Sequence, residues 1–369
     1  METLNNNEIT LNKLRKLYEQ FGYTRFKMSK FEEYDLYLQY KKFLSTSNII
    51  TFTDLSGRLY ALKPDITLSI AKSAKDGEVK KVYYNENVYR VSGSTKEYKE
   101  LTQLGLEYIG EVDPYTLSEV LMLAVKSLSL ISEDYVLDIS HMGFITGLFE
   151  YVGLDESRQE KMLSFIGKKE AHAVSEYCDQ LHLDSEKKEV LLCLCDTYGG
   201  FSETADNISR LIVNEKMQRS FDELNRIYQS LYVIGCGKKI NLDFSIVNDL
   251  GYYNGVIFKG YVRNVPESIL TGGRYDKLME KLGTRLQAIG FAVSVDLLEL
   301  YTQFENRSDV DALIVYDDSA CPELVLKEAT QFVNEGFRVK VSKLIPPKLQ
   351  YTKLVKVSGE GVAYFDGND

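Results

Sequence analysis

Two strand-like runs that lie close together in the chain constrain its fold more than any other feature. Val79 to Val91 and Leu101 to Ile109 are rich in branched and aromatic residues, and a polar loop that includes Ser92 to Lys96 connects them. In the second run the residues alternate between two faces with a period of two, which is typical of a β-strand. The pair predicts that this part of the chain is built around a mixed or antiparallel β-sheet.

Other local signals predict elements on either side of these strands. Thr10 can cap a helix that Gly22 ends in a left-handed conformation, and Asp113 with Pro114 begins an apolar helix that extends to about Ile131. Further predicted elements are a hairpin within Ile49 to Ala61 that turns at Ser56-Gly57, helices at Ile66 to Ser73 and Asp296 to Phe304, strands at Tyr23 to Met28, Ile240 to Asp243, Tyr252 to Val262 and Ala288 to Val293, and a bend at Gly272-Gly273 that introduces a helix.

The length of the chain predicts more than one hydrophobic core. A single core usually stops growing at roughly 250 to 300 residues, and this chain has 369. Residues 143–239 repeat apolar positions three and four apart, which predicts a helical insertion. We expect 1–142 and 240–305 to form one α+β domain and 309–369 to form a small α/β unit. The elements predicted for that unit are strand Ala312 to Tyr316, helix Pro322 to Glu335 and strand Phe337 to Val341.

Charge and composition exclude several classes of function. The 44 basic and 54 acidic residues give a net charge of −10, which opposes sequence-independent binding to nucleic acid. The polar segment Met1 to Asn7 predicts no signal peptide, and the lack of apolar stretches near 18 residues predicts no membrane helix. Five irregularly spaced cysteines indicate free thiols. Three histidines without paired cysteines or a Walker loop predict no metal or P-loop chemistry. We expect a cytoplasmic protein without a cofactor.

The strand Leu101 to Ile109 carries the first candidate site. A period of two places Gln103, Gly105 and Glu107 on one face, with Gln103 and Glu107 about 13 Å apart along an ideal strand. Gly105 leaves space between them, so a small ligand with amine or imidazole donors could lie over it. The alternative is a half-exposed sheet whose polar residues are solvated.

Three further positions suggest polar recognition, each with a structural alternative. Asp65 and Thr67, at a turn before a helix, could hold an ammonium group, although Asp65 could equally cap that helix. Arg90, at the end of a strand, could meet an anion or be solvated. Tyr252 and Tyr253 would point to opposite faces of a strand, so at most one of them is expected to line the same cavity.

Four ordered blocks of sequence resemble the catalytic core of class II histidyl-tRNA synthetases over about residues 10–305. The blocks are Thr53-Asp54 with Gly57-Arg58 and Ala61-Leu62-Lys63-Pro64-Asp65-Ile66-Thr67, Val88-Tyr89-Arg90 with Tyr98 and Gln103-Leu104-Gly105-Leu106-Glu107, Tyr252-Tyr253-Asn254-Gly255 with Phe258, and Gly272-Gly273-Arg274-Tyr275-Asp276 with Ile289-Gly290-Phe291-Ala292. The resemblance implies a class II aminoacyl-tRNA synthetase-like fold, with a six-stranded antiparallel sheet flanked by helices. It also implies a homodimer formed through about Thr10 to Tyr34.

The resemblance further implies a binding site for L-histidine. In that family an acid and a hydroxyl, a glutamine and a glutamate on one strand, and a pair of tyrosines hold the amino acid. The matching positions, with the arginine at the end of the preceding strand, are Asp65, Thr67, Arg90, Gln103, Glu107, Tyr252 and Tyr253. We expect the imidazole to lie toward Glu107.

The same resemblance implies that the adenylation machinery is lost. The arginine that precedes the tyrosine pair in synthetases falls near Asn248, and the Glu-Arg of the last motif is here Asp296-Leu297. The loop at 92–96 keeps few basic residues, and 309–369 is shorter than the anticodon-binding domain of synthetases. Adenylyl transfer needs cations to stabilise its transition state, so we expect no catalytic residues and no tRNA partner.

A synthetase-like body that keeps its amino-acid pocket and lacks these arginines resembles the regulatory subunits of ATP phosphoribosyltransferase. That resemblance implies a non-catalytic subunit that is required for the first step of histidine biosynthesis and mediates histidine feedback. Its partner would be a short-form catalytic subunit, and the homodimer would be part of a hetero-octamer. Two alternatives stay open, namely a divergent histidyl-tRNA synthetase and a stand-alone histidine-binding protein.

Overall fold

The computed structural model describes residues 6–40, 49–91, 97–246, 252–298 and 308–366. The chain divides into a larger unit, Ile9–Leu298, and a smaller unit composed of Met1–Glu8 and Glu299–Asp369. Each unit has a hydrophobic core of its own. The candidate functional site lies in the larger unit.

Helices and strands are numbered here in chain order over the described residues. The helices are α1 Asn6–Gln20, α2 Tyr34–Gln39, α3 Thr67–Lys72, α4 Pro114–Ile131, α5 Met142–Val152, α6 Glu156–Gly167, α7 Ala171–Gln180, α8 Ser185–Asp196, α9 Phe201–Ser209, α10 Glu215–Val233, α11 Asp276–Lys281 and α12 Pro322–Asn334. The strands are β1 Thr24–Arg25, β2 Phe31–Glu33, β3 Thr51–Thr53, β4 Leu59–Leu62, β5 Lys80–Val91, β6 Tyr98–Gly110, β7 Tyr135–His141, β8 Tyr198–Gly200, β9 Ile240–Asp243, β10 Val256–Val262, β11 Leu270–Arg274, β12 Gln287–Ser294, β13 Val310–Tyr316, β14 Val339–Ser342, β15 Tyr351–Ser358 and β16 Gly361–Asp366.

A nine-stranded sheet in the order β1-β5-β6-β12-β11-β10-β7-β9-β8 organises the larger unit. Six consecutive strands in this order, from β5 to β7, pair with one another in antiparallel fashion. This arrangement confirms the antiparallel class II sheet that the resemblance implies. Two parallel pairings extend it, because β1 lies parallel to β5 and β9 lies parallel to β7.

The apolar helix α4 is the core helix beneath this sheet. Pro114 stands in its first turn, and the Asp113 carboxylate accepts a hydrogen bond of 2.7 Å from the Thr116 amide, as the sequence predicts. By length and composition α4 could cross a membrane, which makes the expectation of no apolar stretch of that length wrong. However, 56% of it is buried inside the protein, as is typical of a core helix.

The structure corrects several predicted boundaries. Gly272-Gly273 lies inside strand β11 and is not a bend, although a helix does follow at Asp276. The predicted strand from Tyr23 is reduced to two residues, β1, and the strand predicted from Tyr252 begins only at Val256. Helix α1 starts at Asn6, so Thr10 is not its cap, whereas Gly22 has the expected positive φ of 81°.

Six helices, α5 to α10, occupy the region from Met142 to Val233 where the sequence predicts a helical insertion. One short strand, β8, lies among them and pairs with β9 at the edge of the large sheet. That residues 143–239 form a separate domain stays a prediction.

The smaller unit has a four-stranded sheet in the order β14-β13-β15-β16. Its first strand, helix and second strand match the predicted elements closely, whereas β15 and β16 have no counterpart in the prediction. Val325 and Phe332 of α12 pack with Ala312, Ile314 and Val355 of the sheet. Of the helix predicted from Asp296 to Phe304, only the part up to residue 298 lies within the described residues, and that part is helical.

We predict that Gly272→Ala lowers the free energy of unfolding by about 1 to 3 kcal/mol, because a side chain here overpacks the sheet. A Cβ atom at Gly272 would lie 2.5 Å from the Gly290 carbonyl oxygen and 2.6 Å from the Phe258 ring. Urea denaturation followed by circular dichroism measures the loss. Gly200→Ala is the control, because its Cβ would meet only Glu203 at 3.6 Å or more. Equal midpoints for both variants would contradict this account.

Candidate functional site

A buried glutamate is the centre of the candidate site. Glu107 of β6 is only 2% exposed. Its Oε1 accepts a hydrogen bond of 2.8 Å from the Thr67 hydroxyl, and its Oε2 accepts one of 2.6 Å from the Tyr275 hydroxyl. On the neighbouring strand β12, a Cβ atom at Gly290 would lie 1.7 Å from Oε2, so the carboxyl group rests directly on the backbone of the sheet.

Burial determines the protonation of this carboxyl group. Burial raises the pKa of Glu107 to about 8, and the negative charge of Asp65 acts in the same direction. The hydrogen bonds from Tyr275 and Thr67 oppose the shift but do not cancel it. A cationic or hydrogen-bond-donating group beside Glu107 would stabilise the ionised form, so the site favours a ligand such as an ammonium or an imidazole.

Asp65 lies at the start of α3, close to Glu107. Its Oδ1 accepts a hydrogen bond of 2.8 Å from the Leu68 amide, which confirms the capping alternative for this residue. Burial raises the pKa of Asp65, while the Leu68 amide and the positive charge of Arg90 lower it. Arg90 itself donates from Nε to the Pro64 carbonyl oxygen at 3.0 Å, which holds its guanidinium beside the turn that contains Asp65.

The tyrosine pair contributes both rings to the same face of the sheet. Tyr252 and Tyr253 precede β10 rather than lying in it, so the expectation that they point to opposite faces of a strand is wrong. Their ring centroids are 4.7 Å apart, and Tyr252 is 5.8 Å from the ring of Tyr275. The ring of Tyr253 lies over Gly273, where a Cβ atom would approach within 2.7 Å.

The space over Gly105 is already filled. A Cβ atom there would lie 2.5 Å from the Tyr84 hydroxyl and 2.4 Å from the Phe291 carbonyl oxygen. Gly105 therefore makes room for Tyr84 of the neighbouring strand, and the prediction that a ligand lies directly over it is wrong. Gln103 lies two residues before Gly105 on the same face of β6, and its register partners on the neighbouring strands are Glu86 and Ser294. Among the described residues it makes no hydrogen bond to the other predicted ligands.

The structure thus gathers Asp65, Thr67, Glu107, Tyr252 and Tyr253 into one cluster with Arg90 at its side. Three residues of the cluster were not predicted, namely Tyr84, Tyr275 and Gly290. Tyr275 and Gly290 stand within sequence blocks that the resemblance already singled out, which is the signal that could have identified them. For Tyr84 the only signal is its register opposite Gly105.

One of the two positions assigned to lost arginines is described by the structure. Leu297 lies in a helical segment directly after β12 and is partly buried. The preceding residue, Asp296, accepts a hydrogen bond of 2.9 Å from the Thr102 amide of β6, which ties this segment to the strand that carries Glu107. Asn248 and the loop at 92–96 lie outside the described residues.

Comparisons with known proteins agree with this geometry. The family model described as histidyl-tRNA synthetase matches residues 2–298. An ATP phosphoribosyltransferase regulatory subunit from Acetivibrio thermocellus is 30% identical over 82% of this chain and 75% of its own length. A similar protein from Clostridium kluyveri is 31% identical over 83% of this chain and 81% of its own length.

Solved structures show the same fold. A crystal structure from Bacillus halodurans, titled as an ATP phosphoribosyltransferase regulatory subunit/histidyl-tRNA synthetase, matches with a TM-score of 0.74 at 24% identity over 97% of both chains. A chain of the ATP phosphoribosyl transferase (HisG:HisZ) complex from Thermotoga maritima matches with a TM-score of 0.61 at 18% identity, over 78% of this chain and 97% of that one. The chain therefore belongs to the histidyl-tRNA synthetase family and, within it, to the ATP phosphoribosyltransferase regulatory subunits.

We predict that Glu107→Gln changes the pH dependence of stability. Between its ordinary pKa of 4.5 and the folded value of about 8, the unfolded chain loses the Glu107 proton while the folded protein keeps it. The stability that Glu107 contributes is thus fully present below pH 4.5 and is lost as the pH rises toward 8. Relative to the Gln variant, the free energy of unfolding of the wild type should fall by up to about 1.4 kcal/mol per pH unit in this window.

Urea denaturation at pH 5, 6, 7 and 8 gives this difference directly. Glu150→Gln serves as the control, because Glu150 is 59% exposed and forms a surface ion pair with Lys216. Parallel curves for the wild type and Glu107→Gln would show that burial does not perturb this carboxyl group.

Proposed function

We propose that this protein is a non-catalytic subunit that acts with a short-form ATP phosphoribosyltransferase catalytic subunit in the first step of histidine biosynthesis. Its relatives carry the name of regulatory subunits, and a chain with its fold occurs in an ATP phosphoribosyl transferase complex. One observation carries the proposal. The chain has a histidyl-tRNA synthetase fold in which Thr67 and Tyr275 donate hydrogen bonds to Glu107. It also lacks the arginines expected near Asn248 and at Leu297.

The ligand in this proposal is L-histidine. Its imidazole lies toward Glu107, and its ammonium group lies toward Asp65, Thr67 and Gln103. Arg90, Tyr252 and Tyr253 complete the proposed histidine-binding set. Support comes from the burial of Glu107, because a buried carboxyl with a raised pKa gains free energy when a donor or cation is placed beside it.

The absence of catalysis follows from electrostatics. Activation of an amino acid by ATP develops negative charge that arginines stabilise, and the loss of one such arginine costs about 10³ to 10⁵ in rate. Leu297 offers no charge, and Asn248 would offer none. A pocket of this kind binds its amino acid without activating it, which is the property that a sensor requires.

We further propose a cytoplasmic homodimer that assembles with the catalytic subunit into a hetero-octamer and binds no tRNA. In this proposal 1–142 and 240–305 form the synthetase-like domain, 143–239 form an insertion and 309–369 form a C-terminal unit. Histidine would act by linkage: a ligand that binds one conformation of the complex better than another shifts the equilibrium by its difference in affinity.

We expect Glu107→Ala to weaken the binding of histidine by roughly ten- to a hundredfold, because a charge-assisted hydrogen bond contributes about 1.5 to 3 kcal/mol. Calorimetric titration of histidine into the protein measures the change. Glu150→Ala is the matched control, since it removes an exposed acid outside the cluster. The same variants, reconstituted with the catalytic subunit, should show weaker histidine inhibition for Glu107→Ala only.

Full histidine sensitivity of the Glu107→Ala complex would show that the cluster is not the sensor. Retained binding together with lost inhibition would instead separate ligand recognition from signal transmission. Co-purification with the catalytic subunit distinguishes this proposal from a stand-alone histidine-binding protein.

The protein alone should give no histidine-dependent exchange of pyrophosphate into ATP and no aminoacylation of tRNA. The physical reason is the neutral side chain at each position where charge stabilisation is needed. A heat-inactivated sample sets the background, and exchange above it would favour the alternative of a divergent histidyl-tRNA synthetase.

A further inference from the structure

A network of partly buried charges joins helix α10 to the strand ends beside the candidate site. Glu223 of α10 places its Oε1 at 2.9 Å from Nε2 of His141, at the end of β7, and its Oε2 at 3.9 Å from the guanidinium of Arg274, at the end of β11. The side chains of Glu223 and Arg274 are only 26% and 15% exposed. No residue of α10 belongs to the proposed histidine-binding set, so Glu223 is an acid that reaches this region from outside the cluster.

His141 fixes the orientation of the Glu223 carboxylate. Nδ1 of His141 accepts a hydrogen bond of 3.0 Å from the Gly143 amide, which makes His141 the N-cap of α5. Because that nitrogen accepts, the imidazole proton is on Nε2, which therefore donates to Glu223 Oε1. This bond occupies one carboxylate oxygen and leaves Oε2 to face Arg274.

Further contacts hold Arg274 in place. Its Nε donates to Asp276 Oδ2 at 2.8 Å, and its carbonyl oxygen accepts a hydrogen bond of 3.1 Å from the Asn254 amide. Its aliphatic chain crosses Gly255, where a Cβ atom would lie 2.8 Å from the Arg274 Cδ atom. Arg274 therefore contacts the segment that follows the tyrosine pair as well as the segment that follows Tyr275.

The same contacts restrain the tyrosines of the cluster. Asn254 and Asp276 exchange two hydrogen bonds, one of 3.0 Å from Asn254 Nδ2 to Asp276 Oδ2 and one of 2.7 Å from the Asp276 amide to Asn254 Oδ1. Asn254 directly follows Tyr253, and Asp276 directly follows Tyr275. The hydroxyl of Tyr275 in turn donates to Glu107. A displacement of the arginine would therefore be passed to both tyrosine segments.

Glu223 supplies a negative charge to this network at neutral pH. Burial raises the pKa of Glu223, but the hydrogen bond from His141 and the positive charges of Arg274 and Arg226 help to outweigh burial and hold the pKa below its ordinary value. A neutral glutamine at this position would remove one ion pair of Arg274 and leave the one with Asp276. The guanidinium would then lose its attraction toward α10, and its restraint on the two tyrosine segments would weaken.

We propose that Glu223 is a positioning residue for the binding of L-histidine. It holds Arg274, and through Arg274 it keeps Tyr275 and the segment after the tyrosine pair in place beside Glu107. This inference rests on the proposed function, because it takes histidine as the ligand of the cluster. It adds that helix α10, outside the cluster, sets the affinity of the site. Such coupling is reciprocal, so bound histidine strengthens the contact between α10 and Arg274 by the same free energy.

The first test is calorimetric titration of histidine into the wild type, Glu223→Gln and Asp222→Asn. Both substitutions remove one negative charge from α10, but Asp222 is exposed and its carboxylate accepts a hydrogen bond from Gln218 of the same helix. We expect Glu223→Gln to weaken histidine by at least about fivefold and Asp222→Asn to leave the affinity unchanged. Circular dichroism checks that each variant is folded.

Two further measurements distinguish positioning from a general loss of structure. If Glu223 acts through Arg274, Glu223→Gln should have no additional effect on histidine affinity in an Arg274→Gln background. By reciprocity, saturating histidine should slow amide hydrogen exchange in α10 of the wild type, as followed by mass spectrometry, and should not do so in Glu223→Gln.

The outcomes separate this inference from the proposed function. If the wild type does not bind histidine, the proposed ligand is wrong and the inference is overturned with it. If the wild type and Glu223→Gln bind histidine equally well, only the inference is overturned. Full additivity of the two substitutions, or no slowing of exchange in wild-type α10, would also overturn it. Where a variant is unfolded or binds too weakly to measure, the exchange measurement on the wild type decides.

Discussion

The lack of side chains at the centre of the large sheet is the constraint on which the rest of the larger unit depends. On one face, Gly290 and Gly273 let the Glu107 carboxyl and the Tyr253 ring lie directly on the backbone. On the opposite face, Gly272 admits the ring of Phe258 and the Cβ atom of Phe291. Because protein interiors are close-packed, a single added methyl group at these positions would displace a buried ring or a hydrogen-bonded acid.

This close packing gives one face of the sheet its electrostatic character. Glu107 and Asp138 are both nearly fully buried on that face, and burial raises the pKa of each, to about 8 and about 6 respectively. A buried acid with incomplete compensation is stabilised by any donor or cation that reaches it. The same physical situation thus occurs at both buried acids. They differ in their partners: the hydroxyl groups of Thr67 and Tyr275 donate to Glu107, whereas the side-chain amide of Asn241 donates to Asp138.

The fold alone does not distinguish a synthetase from a regulatory subunit. Function lies in individual residues on the fold, here in the cluster around Glu107 and in the positions assigned to arginines in synthetases. The carboxylate of Asp296 ties the segment that carries position 297 to strand β6, because it accepts a hydrogen bond from the Thr102 amide. In the proposed function a neutral residue at 297 removes catalysis while the strand beside it still presents the ligand-binding acid.

Local sequence determined much of the secondary structure. The long strands β5 and β6, the hairpin of β3 and β4 with Gly57 at a positive φ, and the cap of α4 at Asp113 were all predictable, because periodicity, turn residues and caps act within a few residues. The cluster of candidate ligands came from the resemblance to a family and not from spacing. Asp65 illustrates the limit, since its local role as a cap is visible in the sequence while its nearness to Glu107 is not.

Tertiary structure decided what local propensity could not. A pair of glycines favours a turn in isolation, yet Gly272-Gly273 is extended because aromatic rings need the space on both sides of β11. Tyr275 reaches Glu107 only because α11 begins beside β6 and β12, and the pairing of Asp138 with Lys259 depends on the register of two strands far apart in sequence. Such contacts join residues that share no local signal, so only the packed sheet determines them.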